Sequence, residues 1–359
     1  MSLLRPIAVV LGCAVLTTGA VAQISLTPPA AQAPANKPAA KKEAPKHTPK
    51  PKAAAEKKQA APKPAPSPTP SPSPTHPFDD PNVDLVYGAY QRGLYKTTFD
   101  LATNRANYAR DPKAMTMLGE LYANGLGIKR DYGKAIEWYQ RASDAGDREA
   151  MFALAMMRLA GRGGPVNKEE AVKLLASSAK LGNPKAAYNL ALLYLDGQTL
   201  PQDLKRCAEL LRMAADAGSP EAQYALATFY KEGTGVPKDV DKAVRLLQAA
   251  SLADNVDAEV EYAIALYNGT GTPRNQPAAV ALLRKAARQN SPIAQNRLAR
   301  VLATGQGVPQ DKIEALKWHT VAKTAGKGDP ELDEMLLDMS PQDRAKAEEA
   351  ARKWLGTGK

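Results

Sequence analysis

Cysteine and histidine, which build many metal sites and catalytic nucleophile pairs, are scarce in this chain. Its 359 residues include two cysteines and three histidines. It has no closely spaced cysteine pair, no histidine pair separated by three residues, and no dense aspartate loop that ends in glutamate. Structural zinc sites and EF-hand calcium sites need such spacings. We therefore predict no metal and no other cofactor, and we predict that the protein is not an enzyme.

Long apolar segments are also missing. The one strongly apolar run, from Ile7 to Leu16, is too short to be a comfortable membrane span. It follows Arg5 and precedes an Ala-Val-Ala tripeptide, which is the order of parts in a secretory signal peptide. We predict a signal peptide at residues 1–22 and a periplasmic or secreted mature protein, with an uncleaved N-terminal membrane anchor as the alternative. Cleavage would leave Cys207 as the only cysteine, which excludes an intrachain disulfide.

Aromatic residues are absent from residues 23–77, which contain fifteen prolines. Such a segment cannot bury enough apolar surface to offset chain entropy, so we predict a disordered spacer rich in Pro, Ala and Lys. Its nine lysines and two glutamates supply most of the chain's net charge of +11. That charge either keeps the spacer soluble or attracts it loosely to anionic lipid headgroups or cell-wall polymer. Nucleic acid is not an expected partner of an exported chain that lacks an aromatic and basic surface pattern.

An alanine recurs every 36 residues through the rest of the chain. The series is Ala114, Ala150, Ala186, Ala222, Ala258 and Ala294. A Gly-x-Gly motif keeps the same period, as at Gly233 and Gly235 in YKEGTGVPKDVDK, and only Thr199 replaces its second glycine. A phosphate-binding loop occurs once and follows a strand, whereas this motif recurs six times between helical patterns. We interpret it as a turn in a repeated helical scaffold.

Each repeat is predicted to contain two helices, A and B, because capping signals recur at both starts. Before helix A, a capping residue precedes proline at Asp111, Asn183, Ser219 and Ser291. Before helix B, every repeat has a capping residue: Asp131, Asn167, Asp203, Asp239, Asn275 and Asp311. The first glycine of the motif is expected to end helix A in the left-handed conformation. The residues expected to end helix B in the same way are Gly146, Gly182, Gly218, Asp254, Asn290 and Gly326.

The full pattern of one repeat is A-x-x-x-L-[GA]-x-x-Y-x-x-G-x-G-V-x-x-D-x-x-K-A-x-x-W-Y-x-x-A-A-x-x-G, and the copy that begins at Ala114 matches it nearly throughout. This pattern resembles the Sel1-like repeat, a relative of the tetratricopeptide repeat. The resemblance implies an all-α fold, a right-handed α-solenoid of helix pairs. Terminal helices are expected to shield the end faces of such a stack. The predicted parts are an N-terminal capping helical pair at 78–113, six repeats at 114–329 and C-terminal capping helices at 330–359.

Segments such as VYGAYQRGLY at 86–95 are similar to the periplasmic Sel1 proteins of alphaproteobacteria, which include a rhizobial regulator of exopolysaccharide production. This similarity implies a non-catalytic protein that binds another envelope protein, such as a membrane sensor kinase or an assembly factor. One alternative is a cell-wall-associated structural or assembly factor that uses the basic spacer. A second alternative is a hydrolase of cell-wall material or β-lactams.

A partner-binding groove is predicted from tetratricopeptide geometry, in which helix A lines the concave side of the superhelix. Counted from the recurring alanine as position one, the groove-facing positions are three, seven and eleven. The candidate residues are Phe152, Met156, Tyr188, Leu192, Asp196, Tyr224, Thr228 and Glu232. The competing interpretation is that aromatic residues at position three pack on the neighbouring repeat. Met156 and Leu192, at position seven, are therefore the better binding candidates, and an exposed apolar strip there would suit an amphipathic helix or extended peptide.

His319 and Cys207 are the two residues of the repeats that could serve catalysis. His319 replaces a tyrosine of the repeat pattern, and we predict a core or half-exposed substitute for it. Cys207 occupies a position that is alanine in the other repeats, where close helix packing requires a small residue. We predict an unreactive packing thiol, since a reactive one needs exposure and a lowered pKa.

Overall fold

The structure is a computed structural model that describes residues 84–356. The predicted signal peptide and spacer lie outside the described residues. Within 84–356 the regular structure is entirely helical. The helices are α1 (Leu85–Gln91), α2 (Tyr95–Tyr108), α3 (Pro112–Asn124), α4 (Tyr132–Asp144), α5 (Arg148–Ala160), α6 (Lys168–Lys180), α7 (Pro184–Asp196), α8 (Leu204–Asp216), α9 (Pro220–Glu232), α10 (Val240–Leu252), α11 (Val256–Asn268), α12 (Gln276–Arg288), α13 (Pro292–Thr304), α14 (Lys312–Thr324), α15 (Pro330–Met335) and α16 (Pro341–Trp354).

Helices α3 to α14 form six antiparallel pairs, in which the odd-numbered helices are the A helices and the even-numbered ones the B helices. Each of these twelve helices has 13 residues. Each helix packs chiefly against the helix before it and the helix after it. This arrangement is a solenoid, in which one repeat contacts mainly its neighbours.

The predicted caps of the helices are confirmed. In every helix from α3 to α14 the residue before the first turn is Asp, Asn or Ser, and its side chain accepts a hydrogen bond from a backbone N–H of that turn. Asp239, for example, accepts from the amide of Lys242 at 2.9 Å. The cap satisfies an amide that the helix itself leaves without a partner, and so sets where each helix begins.

The two glycines of the recurring motif have different roles. Gly233 ends α9 with φ of 81°, and its amide donates to the carbonyl of Phe229 at 2.8 Å. Gly235 lies against the start of α8 in the preceding repeat, where an added Cβ would meet the carbonyl oxygen of Leu204 at 2.2 Å. The first glycine therefore terminates a helix, whereas the second permits close contact between repeats. The motif is a structural turn, as predicted.

Small residues allow the helices of the stack to approach closely. The six recurring alanines are at most 2% exposed. Leucines complete the interior, with Leu118, Leu154 and Leu298 fully buried. The described residues contain no disulfide. The repeats are therefore stabilised by the dispersion contacts of closely packed helices.

Both ends of the stack are covered by helices that depart from the repeat. At the N-terminal end α1 packs on α2, and α2 packs on α3. At the C-terminal end α16 packs on α14, where the rings of Trp318 and Trp354 meet edge to face with centroids 5.1 Å apart. Ser340 caps α16 by accepting from the amide of Asp343 at 3.1 Å. None of the described helices is both long and apolar enough to cross a bilayer.

Candidate functional site

The predicted groove residues lie on three consecutive A helices, α5, α7 and α9. Positions three, seven and eleven are four residues apart, so they follow one side of each helix. The exposed residues of this set are Leu192, Asp196 and Glu232, the half-buried ones are Met156, Tyr188, Tyr224 and Thr228, and Phe152 is buried. Burial of Phe152 agrees with the packing interpretation of position three. Leu192 has 36% of its surface exposed and is the most accessible apolar side chain of the set.

Position seven shows a pattern along the whole stack. From the first repeat to the sixth, its residues are Glu120, Met156, Leu192, Thr228, Ile264 and Arg300. We call this series the position-seven row. Its two ends are charged and its four middle members are uncharged, so the uncharged part covers α5, α7, α9 and α11. The row is therefore uncharged in its middle and carries one charge at each end.

The acidic end of the row is covered by the N-terminal capping helices. Tyr90 of α1 donates a hydrogen bond from its hydroxyl to Oε1 of Glu120 at 2.7 Å. Burial raises the pKa of Glu120 above its ordinary value, and the hydrogen bond from Tyr90 offsets only part of that rise. Burial and the same carboxylate also raise the pKa of Tyr90. Sequence reasoning missed this contact, because the two residues are 30 positions apart and no repeat relates them.

The basic end of the row is neutralised by the C-terminal capping region. Arg300 donates through Nη2 to Oδ1 of Asp329 at 2.8 Å and through Nη1 to Oε2 of Glu331 at 2.7 Å. Burial alone would raise the pKa of Asp329, but hydrogen bonds from Arg300 and Asn296 hold it below its ordinary value. The guanidinium of Arg300 is thus paired with two carboxylates. The charge at this end of the row is therefore neutralised within the protein.

The middle of the A-helix face combines tyrosine hydroxyls with carboxylates. Burial, followed by the charges of Asp257, Glu261 and Glu232, raises the pKa of Tyr224 to about 12. Burial and the nearby Glu221 raise the pKa of Tyr188 in the same direction. Both hydroxyls therefore stay protonated and neutral at physiological pH, beside the uncharged part of the position-seven row.

A pocket that the sequence did not predict lies between α11 and α13. Its volume is about 310 Å³, and its lining includes Ile264, Tyr267, Leu283, Arg297 and Val301. Ile264 lies at position seven of the fifth repeat. Applying the predicted groove positions to that repeat would therefore have identified one residue of the pocket wall. The cavity itself depends on how neighbouring helices separate, and side-chain spacing along one helix does not contain that information.

The two candidate catalytic residues do not form a reactive site. Cys207 on α8 is fully buried, and burial raises the pKa of its thiol to about 11, which favours the unreactive protonated form. His319 on α14 is 1% exposed, with Nε2 2.8 Å from Oδ1 of Asp333. Both buried-residue predictions are confirmed, and five helices of the stack separate the two residues. Among the described residues no group of three or more His, Cys, Asp or Glu side chains is arranged to hold a metal ion.

A stack of capped helix pairs, each contacting mainly its neighbours, defines an α-solenoid of the tetratricopeptide-like class. The Sel1 repeat model matches six consecutive segments, at residues 112–147, 148–183, 184–219, 220–255, 256–291 and 292–327, which together make up more than half of the chain. The chain therefore belongs to the Sel1 repeat family. Sel1 repeat proteins generally act as scaffolds for protein–protein interaction. No curated protein matches the chain.

Solved structures of other Sel1 proteins share the fold. One is c5321 of uropathogenic Escherichia coli, described as a protective antigen with an SLR fold; it is 24% identical, with a TM-score of 0.65. The match covers 76% of this chain and 59% of c5321, so this chain corresponds to only part of that protein. Another is a Sel1 repeat protein from Oxalobacter formigenes, which is 26% identical with a TM-score of 0.59. That match covers 67% of this chain and 98% of the Oxalobacter chain.

Proposed function

We propose that this protein is an exported, non-catalytic scaffold that binds another cell-envelope protein through the A-helix face of its second to fourth repeats. The observation that carries the proposal is the uncharged middle of the position-seven row. It covers α5, α7, α9 and α11, ends where Tyr90 hydrogen-bonds to Glu120 and Asp329 pairs with Arg300, and includes the exposed Leu192. A largely apolar row with the exposed carboxylates of Asp196 and Glu232 beside it suits an amphipathic helix or extended segment that has basic residues beside apolar ones.

A membrane sensor is the partner class we favour, on the ground of the resemblance of short sequence segments to alphaproteobacterial periplasmic proteins. A regulator that binds the outer domain of a sensor kinase needs an export signal and a rigid binding face, and needs no catalytic centre of its own. N-terminal sequencing of the protein recovered from a periplasmic fraction should begin at Gln23. A protein that retains residues 1–22 and sediments with membranes would instead support the anchored form.

The binding face is tested by a double variant, Met156→Glu with Leu192→Glu. Tagged wild-type protein should capture a defined membrane protein from detergent-solubilised envelope, and the double variant should lose it because buried carboxylates oppose apolar contact. Met213→Glu is the matched control, since Met213 is an exposed apolar residue on a B helix. Equal capture by all three proteins, quantified by mass spectrometry, would show that this face is not the binding site.

A cell-wall role is the second candidate, and the nine lysines of residues 23–77 favour it. In that case the basic spacer contacts anionic wall polymer and the solenoid organises assembly enzymes. Deletion of residues 24–76 distinguishes the two functions. Loss of wall retention together with preserved partner capture would favour the wall function, whereas unchanged retention would favour the sensor-binding scaffold.

A further inference from the structure

Two adjoining pockets lie beside α13, outside the three helices that carry the proposed binding face. The first, of about 310 Å³ between α11 and α13, has an apolar wall that includes Ile264, Leu283 and Val301. The second, of about 480 Å³, extends from α13 to the loop that contains Lys327. Arg297 and Arg300 each line both pockets, so two cationic side chains stand at their junction.

The cations around these pockets differ in whether they already have partners. Arg300 is held by the carboxylates of Asp329 and Glu331. Among the described residues, neither Arg297 nor the side chain of Lys327 has a hydrogen bond or ion pair. The pocket junction therefore carries positive charge that the fold does not neutralise.

The position of Arg297 in its repeat makes this charge unusual. The residues at the same position in the other repeats are Met117, Ala153, Asn189, Ala225 and Glu261. Glu261 is the nearest of these, on α11, but it pairs with Lys231 of α9 at 2.7 Å, on the side away from α13. The repeat pattern thus places a cation at this position in the sixth repeat only, without supplying its counter-ion.

Some polar side chains of the first pocket also lack hydrogen-bond partners among the described residues. The hydroxyl of Tyr267 donates to Oε1 of Gln306 at 2.8 Å, which fixes the ring at the pocket edge. The side-chain amide of Asn268, which also lines the pocket, makes no hydrogen bond within the described residues. An apolar wall, the unpaired guanidinium of the exposed Arg297 and the free amide of the exposed Asn268 therefore line one cavity.

We propose that this cavity binds an extended peptide segment of a partner protein in which an aliphatic side chain lies beside a carboxylate. The aliphatic side chain fills the space between Ile264, Leu283 and Val301, and the carboxylate accepts from Arg297. The volume is near the lower end of the range for small-ligand sites and holds one or two side chains, not a large cofactor. A guanidinium recognises a carboxylate through paired hydrogen bonds, which explains the choice of arginine. The site lies beyond α5, α7 and α9 but shares Ile264 with the position-seven row, so it adds a specificity element to the proposed binding face.

The test uses fluorescein-labelled decapeptides on a Gly-Ser background that carry one leucine and one glutamate at spacings from zero to four residues. Matched peptides replace glutamate with glutamine, and a second set places the leucine at a free C-terminal carboxylate. Binding to the full-length protein is followed by fluorescence anisotropy. We expect at least one leucine-and-carboxylate peptide to bind about tenfold more tightly than its neutral partner, as a charge-assisted hydrogen bond requires. The internal and C-terminal sets reveal which source of carboxylate the site takes.

Variants of the protein complete the test. Arg297→Glu should abolish the preference for the acidic peptide, Arg297→Lys should keep part of it, and Arg245→Glu, an exposed arginine on the B helix α10, should leave it unchanged. The Met156→Glu and Leu192→Glu double variant should also bind the peptide normally, which separates this site from the proposed binding face. Absence of binding by every peptide, or equal binding of acidic and neutral peptides, would overturn the proposal. Unchanged binding by Arg297→Glu would overturn it as well.

Discussion

Position seven of the A helices carries charged residues at the two ends of this solenoid and uncharged residues in the middle. At the ends, Glu120 and Arg300 carry charges that contacts with Tyr90 and with Asp329 satisfy. In the middle, Met156 and Leu192 are uncharged, and Leu192 is exposed. The comparison teaches that the capping regions do more than shield apolar end faces. They also limit how far the open strip extends along the stack.

The largest expected effect comes from breaking the C-terminal end. Leu332 of α15 is fully buried in the cluster that joins α13, α14 and α16. Leu332→Ala should lower the free energy of unfolding by about 3 kcal/mol, because it removes apolar contacts and leaves a cavity. Urea unfolding followed by circular dichroism measures this change. Met335→Ala, at an exposed residue of the same helix, should change stability by less than about 0.5 kcal/mol, and equal losses would contradict the assignment.

The burial of Glu120 at the N-terminal end should make the stability of the protein depend on pH. The raised pKa of Glu120 means that the native state binds its proton more readily than the unfolded chain, whose ordinary value is 4.5. Stability should therefore fall as pH rises from about 4.5 through the native pKa. Glu120→Gln keeps an acceptor for Tyr90 and removes the titration. As pH rises across that window, the unfolding free energy of Glu120→Gln minus that of wild type should increase by at most about 1.4 kcal/mol per pH unit.

The control for this pH experiment is Glu137→Gln, which removes an exposed carboxylate from α4. Urea unfolding at a series of pH values compares the three proteins. A Glu120→Gln curve parallel to that of wild type would show that the carboxylate is not perturbed by its burial under α1.

Substitutions in the turns that end the B helices should have smaller effects on stability, and these effects should differ in sign between repeats. Asn290 adopts a left-handed conformation with φ of 62°, whereas Gly218 occupies the corresponding turn of the third repeat. Asn290→Gly should raise the free energy of unfolding by about 0.5–1 kcal/mol, because glycine adopts this conformation without steric cost. Gly218→Ala should lower it by a similar amount. Thermal unfolding resolves the opposite signs, and a loss of stability in Asn290→Gly would mean that its side chain stabilises the turn.

The smallest effect on stability should come from the middle of the row. Leu192→Ala should change the unfolding free energy by less than about 0.5 kcal/mol, since the side chain is exposed. Leu190→Ala, at a buried residue of the same helix, should cost about 3 kcal/mol. A large loss in Leu192→Ala, measured by urea unfolding, would mean that Leu192 is a packing residue and would remove it from the binding face.

Most of the fold could be predicted from the sequence because a Sel1 repeat is built from local signals. Asp239 starts a helix, Gly233 ends one, and both act within a few residues of themselves. The burial of Cys207 was also predictable, since five other repeats place alanine at its position. The candidate groove was less predictable, because the same helix position holds buried Phe152 in one repeat and half-buried Tyr224 in another. Exposure there depends on the neighbouring helix, which spacing along a single helix does not describe.

The sequence by itself determined the helix pairs, their boundaries and their order, because caps, glycine turns and a 36-residue period act over short distances. Only the tertiary structure decided which charged side chains have a partner and which remain available. Tyr90 reaches Glu120 and Asp329 reaches Arg300 across about 30 residues of chain, whereas Arg297 meets no carboxylate. Pairings of that kind depend on how the terminal helices dock against the first and last repeats. That docking depends on packing geometry at the ends of the stack, where the repeat no longer specifies the neighbours.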